Sequence, residues 1–470
     1  MAAVKPKILK GFRDFLPDEA LFRERIIDKI KKVYESFGFA PISTPAMEYK
    51  EILLGYGDEA SKQIYLFTDP DKNDVGLRFD LTVPFCRVVA QHKDIARPFK
   101  RYQIQPVWRY DKPDPGRFRE FIQCDIDVVG SKSMLADTEI MTVIYKSFKA
   151  IGLDSKIRFN NRKILNSLIN FVGLTPDSAH SVFRVLDKLD KQGLENVKLE
   201  LGPGRTDDSG DKIPGLNLND DQINKIVSYI QLPRQNRKQA LESITELFKD
   251  VPKAEDGISE LATIDQYLTA MNIDDSAVAI DYSIARGLDY YTGPIFEAVL
   301  TDERVARVGS VMGGGRYDEL IGNFAGQNTP ATGASIGIDR LFAAVRMLEK
   351  GELRHSTADV LITVMDKERL SDYLKIASDL RSEGINTELY LGKEGAIGKQ
   401  MKYADKVGIP VAVIIGSDEF ERGEVSIKNL NVIKEQDVQI EGRQEWIDKK
   451  PGQVTVKLED MLSTIKSFLA

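Results

Sequence analysis

The sequence predicts an α+β chain: an antiparallel sheet flanked by helices, interrupted by a helical insertion and followed by a smaller α/β domain. Three observations carry this. Between residues 76 and 130, polar and apolar residues alternate with the two-residue period of strands, and the same alternation returns at 277–300. From 162 to 271, apolar residues recur at helical spacing. From about 357, strand-like and helix-like segments take turns, the pattern of a small domain with a largely buried sheet.

Each element has a local reason. Leu21, Ile26, Ile27, Ile30, Val33, Tyr34 and Phe37 share one helical face over 18–38, and Gly38 is a stop. FAPISTPAMEY then reads as extended chain broken by Pro41 and Pro45. GLRFDLTVPFCR, 76–87, reads as a strand that ends at Pro84, with Asp80 and Thr82 on one face. RYQIQPVWRY places Tyr102, Ile104, Trp108 and Tyr110 opposite Gln103, Gln105 and Arg109. EFIQCDIDVVG sets Ile122, Cys124, Ile126 and Val128 against Gln123, Asp125 and Asp127, and DKPDPG joins the two runs as an antiparallel hairpin. In the insertion, Thr175-Pro176 marks a helix start. Val182, Val185, Leu186 and Leu189 form one apolar stripe, and Ile223, Ile226, Val227 and Ile230 form another, either side of the loop GPGRTDDSGDKIPG. A glycine-rich turn is expected at 313–320, then a strand running into a helix over TGASIGIDRLFAAVRML. The last domain reads as VLITV, a helix over 367–383, TELYL, a helix near 395–406, and PVAVIIG.

A chain of 470 residues exceeds one hydrophobic core, so several domains are expected. The formal net charge of −7 does not indicate a globally basic nucleic-acid binder, although a local basic surface can still bind RNA. Two cysteines, Cys86 and Cys124, and three histidines, His92, His180 and His355, form no CxxC or HExxH pattern, so no protein-held metal is expected. Cys86 and Cys124 lie in apolar runs and read as small buried residues. No disulfide framework, signal peptide or membrane-length apolar run is visible, and a cytoplasmic location without membrane attachment is expected.

Five stretches concentrate chemistry-bearing residues. VWRYDKPDPGRFREF brings Arg109, Arg117 and Arg119 close together on strand ends; forked, permanently charged guanidinium groups on rigid elements suit phosphate oxygens. Asp80 and Thr82 could hold an ammonium group. ARGLDYYTG offers Arg286 beside Tyr290 and Tyr291, and MGGGRYDEL offers three glycines for close backbone approach together with Tyr317. GASIGIDRLF carries Arg340 in the first turn of a helix. Each has a blander reading as solvated face, buried aromatic or surface arginine. GKEGAIGKQ, 392–400, is a decoy: its spacing is one residue too long for a phosphate loop and Gln400 replaces Ser/Thr.

In this order the motifs resemble those of class II aminoacyl-tRNA synthetases. FGFAPISTPAMEY looks like motif 1, with Pro45 as its proline; VWRYDKPDPGRFREF looks like motif 2; GASIGIDRL looks like motif 3. ARGLDYYTG and GGGRYDEL are similar to the two signature peptides of the histidyl enzymes, and the resemblance spans the chain through IGKQMKYADKVGIPVAVIIG. It implies a six-stranded antiparallel catalytic sheet, a homodimer joined through motif 1, and an α/β anticodon-binding domain. The implied domains are 1–161 and 272–350 for the two catalytic parts, 162–271 for the helical insertion and 357–470 for anticodon binding. It implies activation of L-histidine by ATP, with Mg²⁺ accompanying the nucleotide, and transfer to the terminal adenosine of tRNA(His). By resemblance, Arg109 and Arg286 are catalytic at the α-phosphate. Asp111, Arg117, Phe121 and Arg340 join Arg109 on ATP: Arg117 at the outer phosphates, Phe121 and Arg340 on the two faces of adenine, Asp111 at its amino group. Asp80, Thr82, Gln123, Asp127, Tyr290, Tyr291 and Tyr317 are implied for histidine. LRFDLTVP departs from the LRPE-G-T form of many bacterial relatives and looks like the archaeal and eukaryotic type, which some bacteria share.

Two rivals share the catalytic fold. The regulatory paralogue of ATP phosphoribosyltransferase usually lacks the anticodon-binding domain and degrades the arginine signatures. Class II synthetases for proline, threonine or glycine lack RGLDYY paired with GGGRYD. Lys188, Lys191, Lys225 and Arg234 make the insertion a candidate clamp for the tRNA acceptor stem.

Overall fold

The structure, a computed structural model, describes residues 4–54, 61–112, 117–207, 210–285, 290–348, 355–392, 396–431 and 452–469. The chain divides into two compact units: Met1–Arg13 with Ile26–Lys350, and Asp14–Arg25 with Gly351–Ala470.

In the first unit, β1 (Ala40–Pro41) precedes a small sheet in which β4 (Asp74–Leu77) lies between β2 (Met47–Tyr49) and β3 (Leu66–Thr68). The long hairpin follows as β5 (Phe99–Trp108) and β6 (Glu120–Val129), then β7 (Ser155–Asn161). After the insertion, with its own short hairpin β8 (Gly204–Thr206) and β9 (Lys212–Pro214), come β10 (Val278–Ile280), β11 (Pro294–Leu300), β12 (Ser310–Arg316) and β13 (Ala331–Gly337). They assemble one sheet in the order β1-β5-β6-β13-β12-β11-β7-β10. Every pairing from β5 to β7 is antiparallel, as expected; β1 and β10 add parallel strands at the two edges.

Both faces of the central hairpin are covered. The apolar face of β6 buries Cys124, Ile126 and Val128, and the polar face buries Gln123, Asp125 and Asp127 as well. A sheet with buried polar residues needs internal partners for them. Arg78 supplies several: its guanidinium donates to the Pro106, Thr44 and Pro45 carbonyls at 2.9, 2.7 and 3.1 Å and to Gln105 Oε1 at 3.0 Å. Gln103 donates to Thr44 Oγ1 at 2.8 Å.

Two expectations are corrected. Asp80 and Thr82 are not on a strand: β4 ends at Leu77 and a helix runs over Thr82–Gln91. Asp80 Oδ1 accepts from the Val83 amide at 3.0 Å, a local bond that favours helix initiation, and Pro84 sits in the first turn, where no intrahelical donor is needed. The glycines of MGGGRYDEL are likewise not a turn but the middle of β12, between β11 and β13. The reason is space, since a Cβ on Gly315 would strike the Tyr291 ring at 2.8 Å. The same peptide hides a structural cation. Arg316 pairs with the fully buried Asp137 and donates to the Ser131 carbonyl at 3.0 Å.

The stretch 162–271 holds helices Arg162–Val172, Ala179–Leu186, Leu189–Leu201, Asp220–Ile230, Arg237–Leu247 and Ala254–Ala270. Both predicted stripes face inward, with Tyr229 stacked on Phe248 at 5.8 Å.

The second unit carries a sheet ordered β15-β14-β16-β17-β18: β14 (Val360–Ile362), β15 (Thr387–Leu389), β16 (Val411–Ile414), β17 (Glu424–Asn429) and β18 (Gln453–Lys457). The first three are parallel, joined through helices Leu370–Ser382 and Ile397–Val407. Their residues Val360, Ile362, Val411 and Val413 form the core with Tyr373, Ile376 and Leu380. Gln400, in the decoy motif, is buried and exchanges two 2.9 Å hydrogen bonds with the Val364 backbone; its role is structural.

Removing Arg316 leaves the buried Asp137 carboxyl without its cationic partner in the core. Arg316→Ala is expected to destabilise the first unit by about 3–5 kcal/mol, read as an earlier transition in urea unfolding; an unmoved transition would contradict this role.

Candidate active site

The polar face of the sheet opens into a cavity of about 410 Å³. Asp80 and Thr82 reach it from the start of the helix Thr82–Gln91, Arg109, Asp111 and Arg117 from the hairpin ends, and Phe121, Gln123 and Asp127 from β6. Tyr290, Tyr291, Tyr317 and Arg340 complete the residues expected there. Arg286, also expected, lies outside the described residues.

At one end, Asp127 is the centre. Its Oδ2 pairs with Arg101 at 2.7 Å, and the two side chains are 3% and 0% exposed. The Tyr317 hydroxyl donates to Oδ1. Arg101 and Gly333 flank Asp127 in register across β5 and β13. A Cβ on Gly333 would overlap Asp127 Oδ1, so glycine is required at that position. Burial pushes the Asp127 carboxyl up, against the pull of Arg101 and the Tyr317 hydroxyl. Burial raises neighbouring Asp125 to about 7, again opposed by Arg101. Gln123 donates to Ser335 Oγ at 2.5 Å, while its buried Oε1 has no donor among the described residues, leaving an acceptor for a ligand N–H. Tyr290 packs edge-on against Tyr291 and Tyr317, with centroids 4.9 and 6.0 Å apart. This end is lined by carboxylates, an amide and rings: a pocket for a small cationic, hydrogen-bonding ligand.

The other end is built from cations. Arg109 Nε donates to the Phe79 carbonyl at 3.0 Å, and its guanidinium lies 4.1 Å over the Phe79 ring and 5.2 Å from that of Phe121. Arg117 stands 3.5 Å from Asp111, both partly exposed. Arg340 donates to the Ser310 carbonyl at 2.5 Å. Arg119, the third arginine of the hairpin, is structural: it lies 4.2 Å over the Tyr110 ring and bonds the Asp111 carbonyl.

Three contributors escaped the sequence reading. Asp339 Oδ2 accepts from the Ile122 amide at 3.0 Å, fixing the helix that carries Arg340 onto β6. Arg13 pairs with Asp339 and lies 3.2 Å over Phe118, across a separation in sequence that gives no local signal. Glu297 lines the cavity from β11 and pairs with Arg158; a single carboxylate in the otherwise apolar PIFEAVL was the available sign.

Among the described residues, no three or more His, Cys, Asp or Glu side chains converge as a metal cage. Four of the cavity carboxylates face cations instead: Asp127 with Arg101, Asp339 with Arg13, Glu297 with Arg158, Asp111 with Arg117. Such a donor set suits an ion that arrives bound to phosphates better than one held by protein alone.

The histidyl-tRNA synthetase family profile matches residues 11–341, and that of the anticodon binding domain matches 359–467. The chain belongs to the histidyl-tRNA synthetase family. Its activity is that of a histidine–tRNA ligase, with ATP, histidine and tRNA(His) as substrates. It is 41% identical to the histidine–tRNA ligase of Dinoroseobacter shibae, over 99% of this chain and 97% of that one. It is 38% identical to that of Brucella abortus, over 99% and 96%. The crystal structure of histidyl-tRNA synthetase from Nostoc sp. PCC 7120 superposes with a TM-score of 0.82 at 32% identity, covering 99% of this chain and all of that one.

Gly333→Ala places a methyl group against Asp127. The expected result is a KM for histidine raised by about tenfold or more, with KM for ATP little changed. An unchanged histidine KM would remove Asp127 from the amino-acid pocket.

Proposed function

We propose that the described cavity carries out histidine activation, with histidine at its carboxylate-and-tyrosine end and ATP along its arginine end. The observation that carries this reading is the segregation of one cavity into these two ends. The histidine carboxylate attacks the α-phosphorus and pyrophosphate leaves. A ribose hydroxyl of the tRNA terminal adenosine then attacks the activated carbonyl and AMP leaves.

In-line displacement of this kind depends on positioning and charge stabilisation. Arg109, locked between Phe79 and its carbonyl, is preorganised for an α-phosphate oxygen. Arg117, near the half-exposed mouth, fits the outer phosphates. Phe121 and Arg340 offer a ring and a planar cation for adenine, with Asp111 at its amino group. Arg286 is assigned to the α-phosphate on the family resemblance alone. Asp127 and Asp80 suit the ammonium and an imidazole N–H, with Thr82 and the Gln123 acceptor completing the set. Tyr290, Tyr291 and Tyr317 enclose the ring. Because the buried polar groups would be left unpaired by an apolar isostere, such a pocket discriminates strongly. Mg²⁺ would enter on the ATP phosphates and neutralise charge on the departing pyrophosphate.

The same reading assigns 162–271 as an insertion and 357–470 as the anticodon-binding domain. No helix among the described residues is long and apolar enough to cross a membrane, and a cytoplasmic site of action is part of the proposal. The acceptor-stem clamp gains little support. Lys188 is bound to buried Glu200 at 2.6 Å, Lys225 to Asp221 at 2.8 Å, and Arg234 lies 3.4 Å from Asp281.

ATP–pyrophosphate exchange without tRNA, run with each of the twenty amino acids, tests the central claim. Exchange is expected with histidine alone, and Arg109→Ala or Arg286→Ala is expected to lower it by about 10²-fold. Near-normal exchange in either variant would overturn that arginine's role.

A homodimer is proposed through the segment after Pro45. Met47, Tyr49 and Phe67 share one face of the small sheet and are 46%, 55% and 45% exposed, an apolar face that a second copy would cover. Phe67→Glu is expected to yield monomers in light scattering at micromolar concentration; a persistent dimer would place the interface elsewhere.

A further inference from the structure

Arg158 sits where the catalytic sheet meets the insertion. It lies on β7, directly opposite Glu297 of β11 in the antiparallel register, and pairs with it. Glu297 faces the cavity. The same guanidinium holds Asp190 at 2.7 Å, from the insertion helix Leu189–Leu201, and approaches Asp281 at 3.5 Å. Asp281 in turn lies 3.4 Å from Arg234, a second insertion residue. One insertion residue, Asp190, thus reaches directly, and a second, Arg234, through Asp281, an arginine whose other partner is in the wall of the cavity.

We propose that Arg158 is a positioning residue through which the insertion sets the efficiency of histidine activation, apart from any contact the insertion makes with tRNA. The inference rests on the cavity being the activation site. A buried carboxylate beside a triphosphate site opposes its ligand unless its charge is balanced and its orientation fixed. Arg158 does both for Glu297, and a planar guanidinium keeps one orientation only while its remaining donors are engaged. Asp190 shares Nη2 with Glu297 and Asp281 faces Nη1, so both terminal nitrogens are held, while Nε has no partner among the described residues. Asp190 is 48% exposed, so its removal leaves the core intact while withdrawing the insertion's hold on Arg158. Two-state rearrangement of the insertion about this contact would therefore be felt at the cavity wall, whereas Lys188 and Lys225, bound within the insertion itself, cannot transmit it.

The test is histidine-dependent ATP–pyrophosphate exchange, without tRNA, in Asp190→Ala and Asp190→Asn of the full chain. Both are expected to lose about three- to tenfold in kcat, with histidine KM and Tm unchanged. Asp190→Ala combined with Glu297→Gln is expected to cost less than the sum of the single effects. Unchanged kcat, a loss matched by a fall in Tm, or strict additivity would each overturn the inference. If Arg109→Ala abolishes exchange while Asp190→Ala exchanges normally, the activation site stands and only the coupling fails.

Discussion

The sealed pair of Arg101 and Asp127 is the constraint on which the rest of the sheet depends. Two opposite charges with 0% and 3% exposure must stay together, because either one alone would be a buried unpaired charge. That requirement sets the register of β5 against β6, since a shift by one residue would turn Asp127 to the apolar face. It sets the glycine at 333, which alone leaves room for the carboxylate on β13. It also draws in Tyr317, whose hydroxyl donates to Asp127 from the turn after β12. The carboxylate-and-tyrosine end of the cavity is the mouth of a polar core.

That core continues away from the cavity. Arg101 bonds Gln103 at 3.2 Å, Gln103 bonds Gln105 at 2.5 Å, and Arg78 joins Gln105 to Thr44. Thr44 precedes Pro45, so the extended segment and the carboxylate-and-tyrosine end of the cavity are ends of one hydrogen-bonded file. Polar groups in series at low dielectric hold one geometry when all are satisfied and cost stability when one is not. Burial lowers the Arg78 pKa to about 10, a measure of how dry the file is.

Arginine divides its labour by burial. Arg78, Arg101, Arg158 and Arg316 are spent on carbonyls and carboxylates inside the protein, whereas Arg109, Arg117 and Arg340 reach the cavity. A chain with formal net charge −7 can still present a cationic end to a phosphate, because preorganised local charge counts for more than the average. The insertion shows the converse. Most of its nominated cations are bound to nearby acids, so its number of lysines says little about the charge it offers to a partner.

The sequence by itself determined the element types over the hairpin, the insertion and the last domain, because two- and 3.6-residue periods are local properties. It also determined the family, because five motifs in order leave little freedom, and it named about half of the residues that line the described cavity. Tertiary structure decided what periodicity cannot encode. Asp80 and Thr82 alternate like a strand, yet the Asp80–Val83 bond starts a helix. The three glycines look like a turn, yet they are strand residues, and at Gly315 the missing side chain admits the Tyr291 ring. Arg13, Glu297 and Asp339 acquire their roles from partners far along the chain: Asp339 for Arg13, Arg158 for Glu297, the Ile122 amide for Asp339. Which arginine lines the cavity and which serves the fold was likewise undecided until the strands were paired, because a guanidinium is chemically the same in both places and only its neighbours differ.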